Sequence, residues 1–190
     1  MEKRIEIYCK NKNEWREWLL INHKSSSGVY LVFYKVKSPK ESMRWEEAVK
    51  EALCFGWIDS VVKKINDEKR KQLFTPRKPK SGWSKLNKDH IKKLIANNLM
   101  HESGLQKIQM AKKDGSWSMN DDAENLIVLN DLQKAFDENK KASKNFQSFS
   151  NSSKKAYLHW LYSAKREETK KKRLLEIIRL CEKNIKSRNE

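Results

Sequence analysis

The chain is 190 residues long, and 42 Lys and Arg against 25 Asp and Glu leave it at +17. That length suits one domain, or one domain with a helical appendage, and seven Trp, six Phe and five Tyr supply a core even at 37% hydrophobic residues. Three cysteines without C-x-x-C spacing argue against a disulfide scaffold or a thiolate zinc site, and no run reaches the ~18 apolar residues of a membrane span. MEKRIEIYCK has no apolar leader core, so the expectation is a soluble, cytoplasmic protein with reduced thiols.

Ile5 and Ile7 alternate with charged residues and read as a short edge strand. Asn13 is placed to cap a helix whose Trp15, Trp18, Leu19 and Asn22 share a face. Gly28–Lys35 reads as a central strand, apolar on both faces. Ser42 is expected to cap the next helix, with Trp45, Val49, Ala52 and Leu53 in register and Gly56 as its left-handed terminator. Trp57–Ile65 alternates as a strand, with Asp59, Val61, Lys63 and Ile65 on one face and Ser60, Val62 and Lys64 on the other. A turn at Asn66–Lys69 and a return arm Arg70–Thr75 complete a hairpin.

Pro76 and Pro79 forbid regular pairing, so Arg77–Gly82 is expected as an extended loop held against the body. Ser84 or Asn87 caps a helix through Ile91, Leu94 and Ile95, and a second helix covers Ser103–Lys113. Polar Trp117–Asn125 reads as a linker. Beyond it four helices are expected: 130–139, 141–149, 152–165 and 167–185, with Tyr157, Trp160, Leu161 and Ala164 in one stripe and Leu174, Ile177, Ile178 and Cys181 in another. The expected fold is therefore α+β: a small, mainly antiparallel sheet with packed helices over 1–118, then a helical segment over 126–190.

The segments ALCFGWIDS (52–60), FTPRKP (74–79), SGWSK (81–85) and AKREET (164–169) resemble the hallmarks of the bacterial YdeI/OmpD-associated, or bacteriocin-protection, proteins. The resemblance runs along nearly the whole chain, and from about Leu129 it is similar to the OmdA-type domain. An Arg often follows AK-x-E-E-T in that family, and Lys170 stands there instead. The resemblance implies a role in bacteriocin tolerance or envelope stress and carries no catalytic mechanism.

Ala52–Asn87 looks most like a site. Trp57, Asp59 and Ser60 at one hairpin end, with Arg77, Ser81, Trp83 and Ser84 on the proline loop, combine two indole faces, hydroxyls and a guanidinium. Such a set suits an anionic ligand, a small molecule or a protein. Equally, Asp59 and Arg77 can pair to pin the loop. The alternative partner is nucleic acid. Residues 61–93 hold twelve cations and three carboxylates, with Lys63, Lys64, Lys69, Arg70, Lys71, Lys78, Lys80, Lys85 and Lys88 alongside Arg77 on the hairpin and loop. Tyr30, Phe33, Tyr34, Phe74 and Trp83 are interleaved with them. The same excess of lysine also serves solubility.

No catalytic residues, metal or cofactor are expected. There is no G-x-S-x-G, H-E-x-x-H or P-loop, and none of His23, His90, His101 and His159 lies in a motif beside Ser60 or Ser84. An enzymatic reading would need a base near Ser60, with His23 the nearest candidate. The second cationic run, Lys165–Arg173, holds two acids and reads as a solvated helix face with internal ion pairs.

Overall fold

The structure, a computed structural model, describes residues 4–188. Strand β1 (Glu6–Tyr8) leads into helix α1 (Lys12–Asn22), strand β2 (Val29–Tyr34), helix α2 (Trp45–Cys54), strands β3 (Trp57–Lys64) and β4 (Lys69–Pro76), and helices α3 (Lys85–Ala96) and α4 (Glu102–Lys113). The sheet order is β1-β2-β4-β3, with β1 parallel to β2 and the other two pairings antiparallel. The α+β, mainly antiparallel expectation holds. Five further helices follow: α5 (Asp121–Glu124), α6 (Asn130–Glu138), α7 (Lys140–Ser148), α8 (Asn151–Tyr162) and α9 (Glu167–Glu182).

Several local assignments shift for identifiable reasons. Asn11, not Asn13, caps α1, its Oδ1 accepting from the backbone N–H of Asn13 and Glu14 at 3.0 and 3.1 Å. Ser42 does not cap α2: its hydroxyl takes the Tyr34 N–H at 3.1 Å and closes the end of β2, while Glu47 reaches back to the Arg44 N–H at 2.8 Å. Gly56 does supply the left-handed residue after α2, with φ +74°.

The hairpin carries a bulge. Asp59 pairs with Phe74 and Val62 with Gln72, so Ser60 and Val61 together oppose Leu73. One extra residue inverts the alternation beyond it, so Asp59, Val62 and Lys64 share the helix-bearing side and Lys63 faces the opposite way beside Lys71. The strict alternation read from the sequence is thereby corrected.

One face of the sheet, through Val29, Leu31, Phe33, Phe74 and Trp57, packs on α1–α4 in a core that includes Trp15, Leu19, Leu53, Trp83 and Ile91. The Trp15 indole stacks on Trp18 at 5.3 Å and donates to the Ala48 carbonyl at 3.1 Å, so its one polar atom is satisfied inside the core. Arg16 reinforces the same junction, with an ion pair to Glu51 at 2.7 Å and a bond to the Leu99 carbonyl at 2.9 Å.

The chain divides into two compact units, Met1–Trp117 and Ser118–Glu190. Within the stretch expected as a bare linker, α5 forms and buries Ala123 in the second unit's core with Leu132, Phe136, Phe146, Tyr157, Leu158 and Ile177. Helices α6–α9 fall within a few residues of their expected spans, because their apolar stripes are regular. Among the described residues no helix is long and apolar enough to cross a membrane.

Candidate functional site

The sequence-selected cluster separates into four places. Trp57 is buried and donates its indole N–H to the His23 carbonyl at 3.2 Å. Asp59 is half-buried on the helix side, where it accepts from the Trp45 indole at 2.9 Å and from the Gln72 amide. Ser60 lies exposed in the bulge with its hydroxyl toward the Leu73 carbonyl at 3.4 Å. Arg77, Ser81, Trp83 and Ser84 form the proline loop. Ser81 donates to the Lys78 carbonyl at 2.7 Å, and Ser84 caps α3 through the Asn87 N–H at 3.2 Å.

Arg77 is the centre of that loop. It is 4% exposed, its guanidinium lies 3.6 Å from the centre of the Trp83 ring, and Nη2 donates to the Gly82 carbonyl at 2.6 Å. Its Nε finds no partner, and burial pushes its pKa down to about 10, with the Asp59 charge opposing that shift. The expected Asp59–Arg77 pair is thus a through-space attraction, since the Asp59 carboxylate bonds Trp45 and Gln72 instead. The cleft beside Arg77 offers only about 10 Å³, roughly one water.

The cations likewise divide by face. Arg70 lies over Phe33 at 5.4 Å on the helix side, Lys64 pairs with Asp67, and Lys78, Lys80 and Lys85 are exposed on the loop and the start of α3. Phe33, Phe74 and Trp83 are core residues and therefore cannot be the interleaved aromatics expected of them. The opposite face of the sheet is different. Tyr8, Tyr30, Val32, Tyr34 and Leu73 lie outside the core cluster, and Lys63, Lys69 and Lys71 stand among them.

On this face Lys63 and Lys71 sit 5.5 and 5.0 Å from the Tyr30 ring, and Lys40 and Lys69 sit 5.3 and 5.7 Å from that of Tyr34. Tyr8 meets Tyr34 edge-on at 5.2 Å, and Glu6 pairs with Lys71. Tyr8 and Lys40 were not singled out in the sequence. The parity of Tyr8 could have been read from β1, but Lys40 arrives from a loop, which no periodicity announces.

Nucleophilic chemistry finds little support in these surroundings. Burial raises the Cys9 and Cys54 thiols to about 11 and that of Cys181 to about 12, so none forms a thiolate near neutrality. The His23 imidazole faces Phe55 and His101, with centroids 5.2 and 4.9 Å away, rather than Ser60. Among the described residues no group of three or more His, Cys, Asp or Glu could hold a metal.

The histidines do set a pH response. His101 is held below its usual 6.5, first by burial and then by His23 and Lys24; His90 is lowered by burial and then by Lys50. Both rings take up a proton less readily in the fold than once unfolded. Their contribution to stability is therefore full well above pH 6.5 and is lost progressively as the pH falls through that value. Urea midpoints should decline between about pH 7.5 and 5.5, a window in which ordinary carboxylates remain charged. A flat profile would contradict this.

Residues 7–107 match the model of a domain of unknown function (DUF8412), and residues 125–184 match that of the family described as Bacteriocin-protection, YdeI or OmpD-Associated. The chain belongs to the DUF8412 family and carries an OmdA domain. No curated protein and no solved structure matches. The hallmark segments at 52–60, 74–79 and 81–85 fall inside the first match and only AKREET inside the second, so the OmdA likeness covers the C-terminal part of the chain. Within the OmdA domain, Lys170 pairs with Asp131 at 2.9 Å and Lys172 with Glu168 at 2.7 Å. Arg173 is not simply solvated: it lies 5.2 Å from the Trp160 ring and donates to the Trp160 carbonyl at 2.5 Å.

Proposed function

We propose that this OmdA-bearing protein is a binding module rather than an enzyme, and that it takes single-stranded nucleic acid on the face of its sheet turned away from α1–α4. One feature carries the reading: Tyr8, Tyr30 and Tyr34 share that face with Lys40, Lys63, Lys69 and Lys71. Bases stack on aromatic rings whatever their sequence, while ammonium groups between the rings neutralise the phosphates. Tyr30 and Tyr34 stand ~13 Å apart along β2, leaving room for more than one base. Three buried, unpaired cysteines suit work in a reducing cytoplasm. In this reading the bacteriocin protection named for OmdA proteins is exerted through binding. An anion held at Arg77 is less favoured, because the cleft there has room for little beyond a water.

Fluorescence anisotropy with a labelled strand of about 12 nucleotides tests the proposal. Affinity should fall with salt at a log–log slope of about −2 to −3, as for three or four neutralised phosphates. Joint Tyr30→Ala and Tyr34→Ala replacement should weaken binding at least about tenfold. Lys63→Gln and Lys71→Gln should each flatten the slope by about 0.7. Absence of binding at about 50 mM salt, or full affinity in the tyrosine variant, would overturn it.

A further inference from the structure

A second feature lies beyond this face, at the carboxyl ends of the two parallel strands. There β1 gives way to α1 and β2 to the 35–44 connection, leaving a cavity of about 600 Å³. Crevices outside the carboxyl ends of parallel strands are recurrent ligand sites, because adjacent chains part there to enter their connections. The volume lies in the range of small-molecule sites.

Its lining is chemically selective. Lys10, Lys12, Lys35, Lys40 and Arg44 contribute five positive charges, against two negative ones from Glu41 and Glu47. Glu47 is engaged by the Arg44 N–H, and among the described residues none of the five cations lies within 4 Å of a carboxylate oxygen. A net excess of three positive charges around a concave space concentrates anions there. The amino end of α1 adds little, because Asn11 already accepts two of its N–H groups. Selectivity therefore comes from the side chains. The few apolar atoms, from Tyr34, Val36 and Met43, favour a hydrated anion over a greasy ligand.

We propose that this cavity binds a phosphomonoester, a compact dianion able to engage several of these cations at once. The site does not rest on the strand-binding reading. It stands alone if the phosphate belongs to a free nucleotide, and it joins that reading if the phosphate ends a strand, since Tyr34 and Lys40 belong to both surfaces.

Amide NMR shifts of the full chain would distinguish the cases, using inorganic phosphate, AMP, adenosine, and one oligonucleotide with and without a terminal phosphate. AMP or inorganic phosphate shifting residues 10–13 and 35–44 supports a free-nucleotide site. Shifts there from the phosphorylated strand alone support a strand end. Joint Lys12→Glu and Arg44→Glu replacement, at two exposed positions, should weaken the effective ligand at least about tenfold. No shift from any phosphate, or equal shifts from adenosine and AMP, would overturn the proposal. Strand binding that persists without these shifts would leave the sheet-face reading intact, and AMP binding without strand affinity would do the reverse.

Discussion

Replacing Gly104 with alanine should destabilise the N-terminal unit by about 2 kcal/mol, despite the better helix propensity of alanine. A Cβ at this position in α4 would stand 2.2 Å from the Cys54 carbonyl oxygen and 2.8 Å from its carbon. Both are backbone atoms at the end of α2, so no rotamer change relieves the overlap. The close approach has a purpose: His101 N–H donates to the Cys54 carbonyl at 3.1 Å, and the Ser103 hydroxyl donates to the Phe55 carbonyl at 3.1 Å. The beginning of α4 thereby satisfies carbonyls that the end of α2 leaves open. Alanine gains ~1 kcal/mol of propensity, but separating the helices costs roughly 3 kcal/mol in overpacking and strained hydrogen bonds. Tryptophan fluorescence in urea follows this unit, since six of the seven tryptophans lie within Met1–Trp117. Gly115→Ala is the control: φ is +79° and the added Cβ would meet nothing within 4 Å, so a backbone cost of ~1 kcal/mol applies. An unchanged or raised midpoint for Gly104→Ala would refute the argument.

Trp83→Ala should cost more, about 4 kcal/mol. The indole is 2% exposed, covered by Arg77 on one side and in contact with Trp117 at 5.1 Å. Removing it opens a cavity and strips the guanidinium of its main neighbour. Arg77→Met should cost under about 1.5 kcal/mol, because an apolar chain of similar length keeps the packing and removes a charge whose desolvation is poorly repaid. Urea unfolding of both variants checks the contrast. Equal losses would mean that the Arg77–Gly82 hydrogen bond, rather than the ring stack, holds the loop.

The same loop marks the limit of sequence reading here. Pro76 and Pro79 announce that pairing ends, because a ring nitrogen donates no hydrogen bond. Nothing local says that Arg77 turns inward onto Trp83 rather than toward Asp59. That depends on Asp59 being occupied by Trp45 and Gln72, partners 14 and 13 residues away. The bulge at Ser60–Val61 is a second case. Alternation is a local rule, and a single extra residue, visible only once Leu73 lies opposite, moves Lys64 to the side of Asp59 and Lys63 away from it, the reverse of what alternation gives.

What the sequence determined by itself was the set of elements apart from α5. The helical stripes of α2, α3 and α6–α9, the β-rich run of β2, Gly56 as terminator and Ser84 as cap all express constraints within a few residues. Which aromatics face outward was a tertiary decision. Val29, Leu31 and Phe33 meet α1–α4, while Tyr30, Val32 and Tyr34, in the same strand and nearly as apolar, are left to lysines. Both faces of that strand read alike, and only the side on which the helices pack distinguishes core from candidate binding surface. The cationic cavity is likewise a product of the fold, since Lys10, Lys12, Lys35, Lys40 and Arg44 form no run in the chain. They meet because β1 and β2 lie parallel and end together.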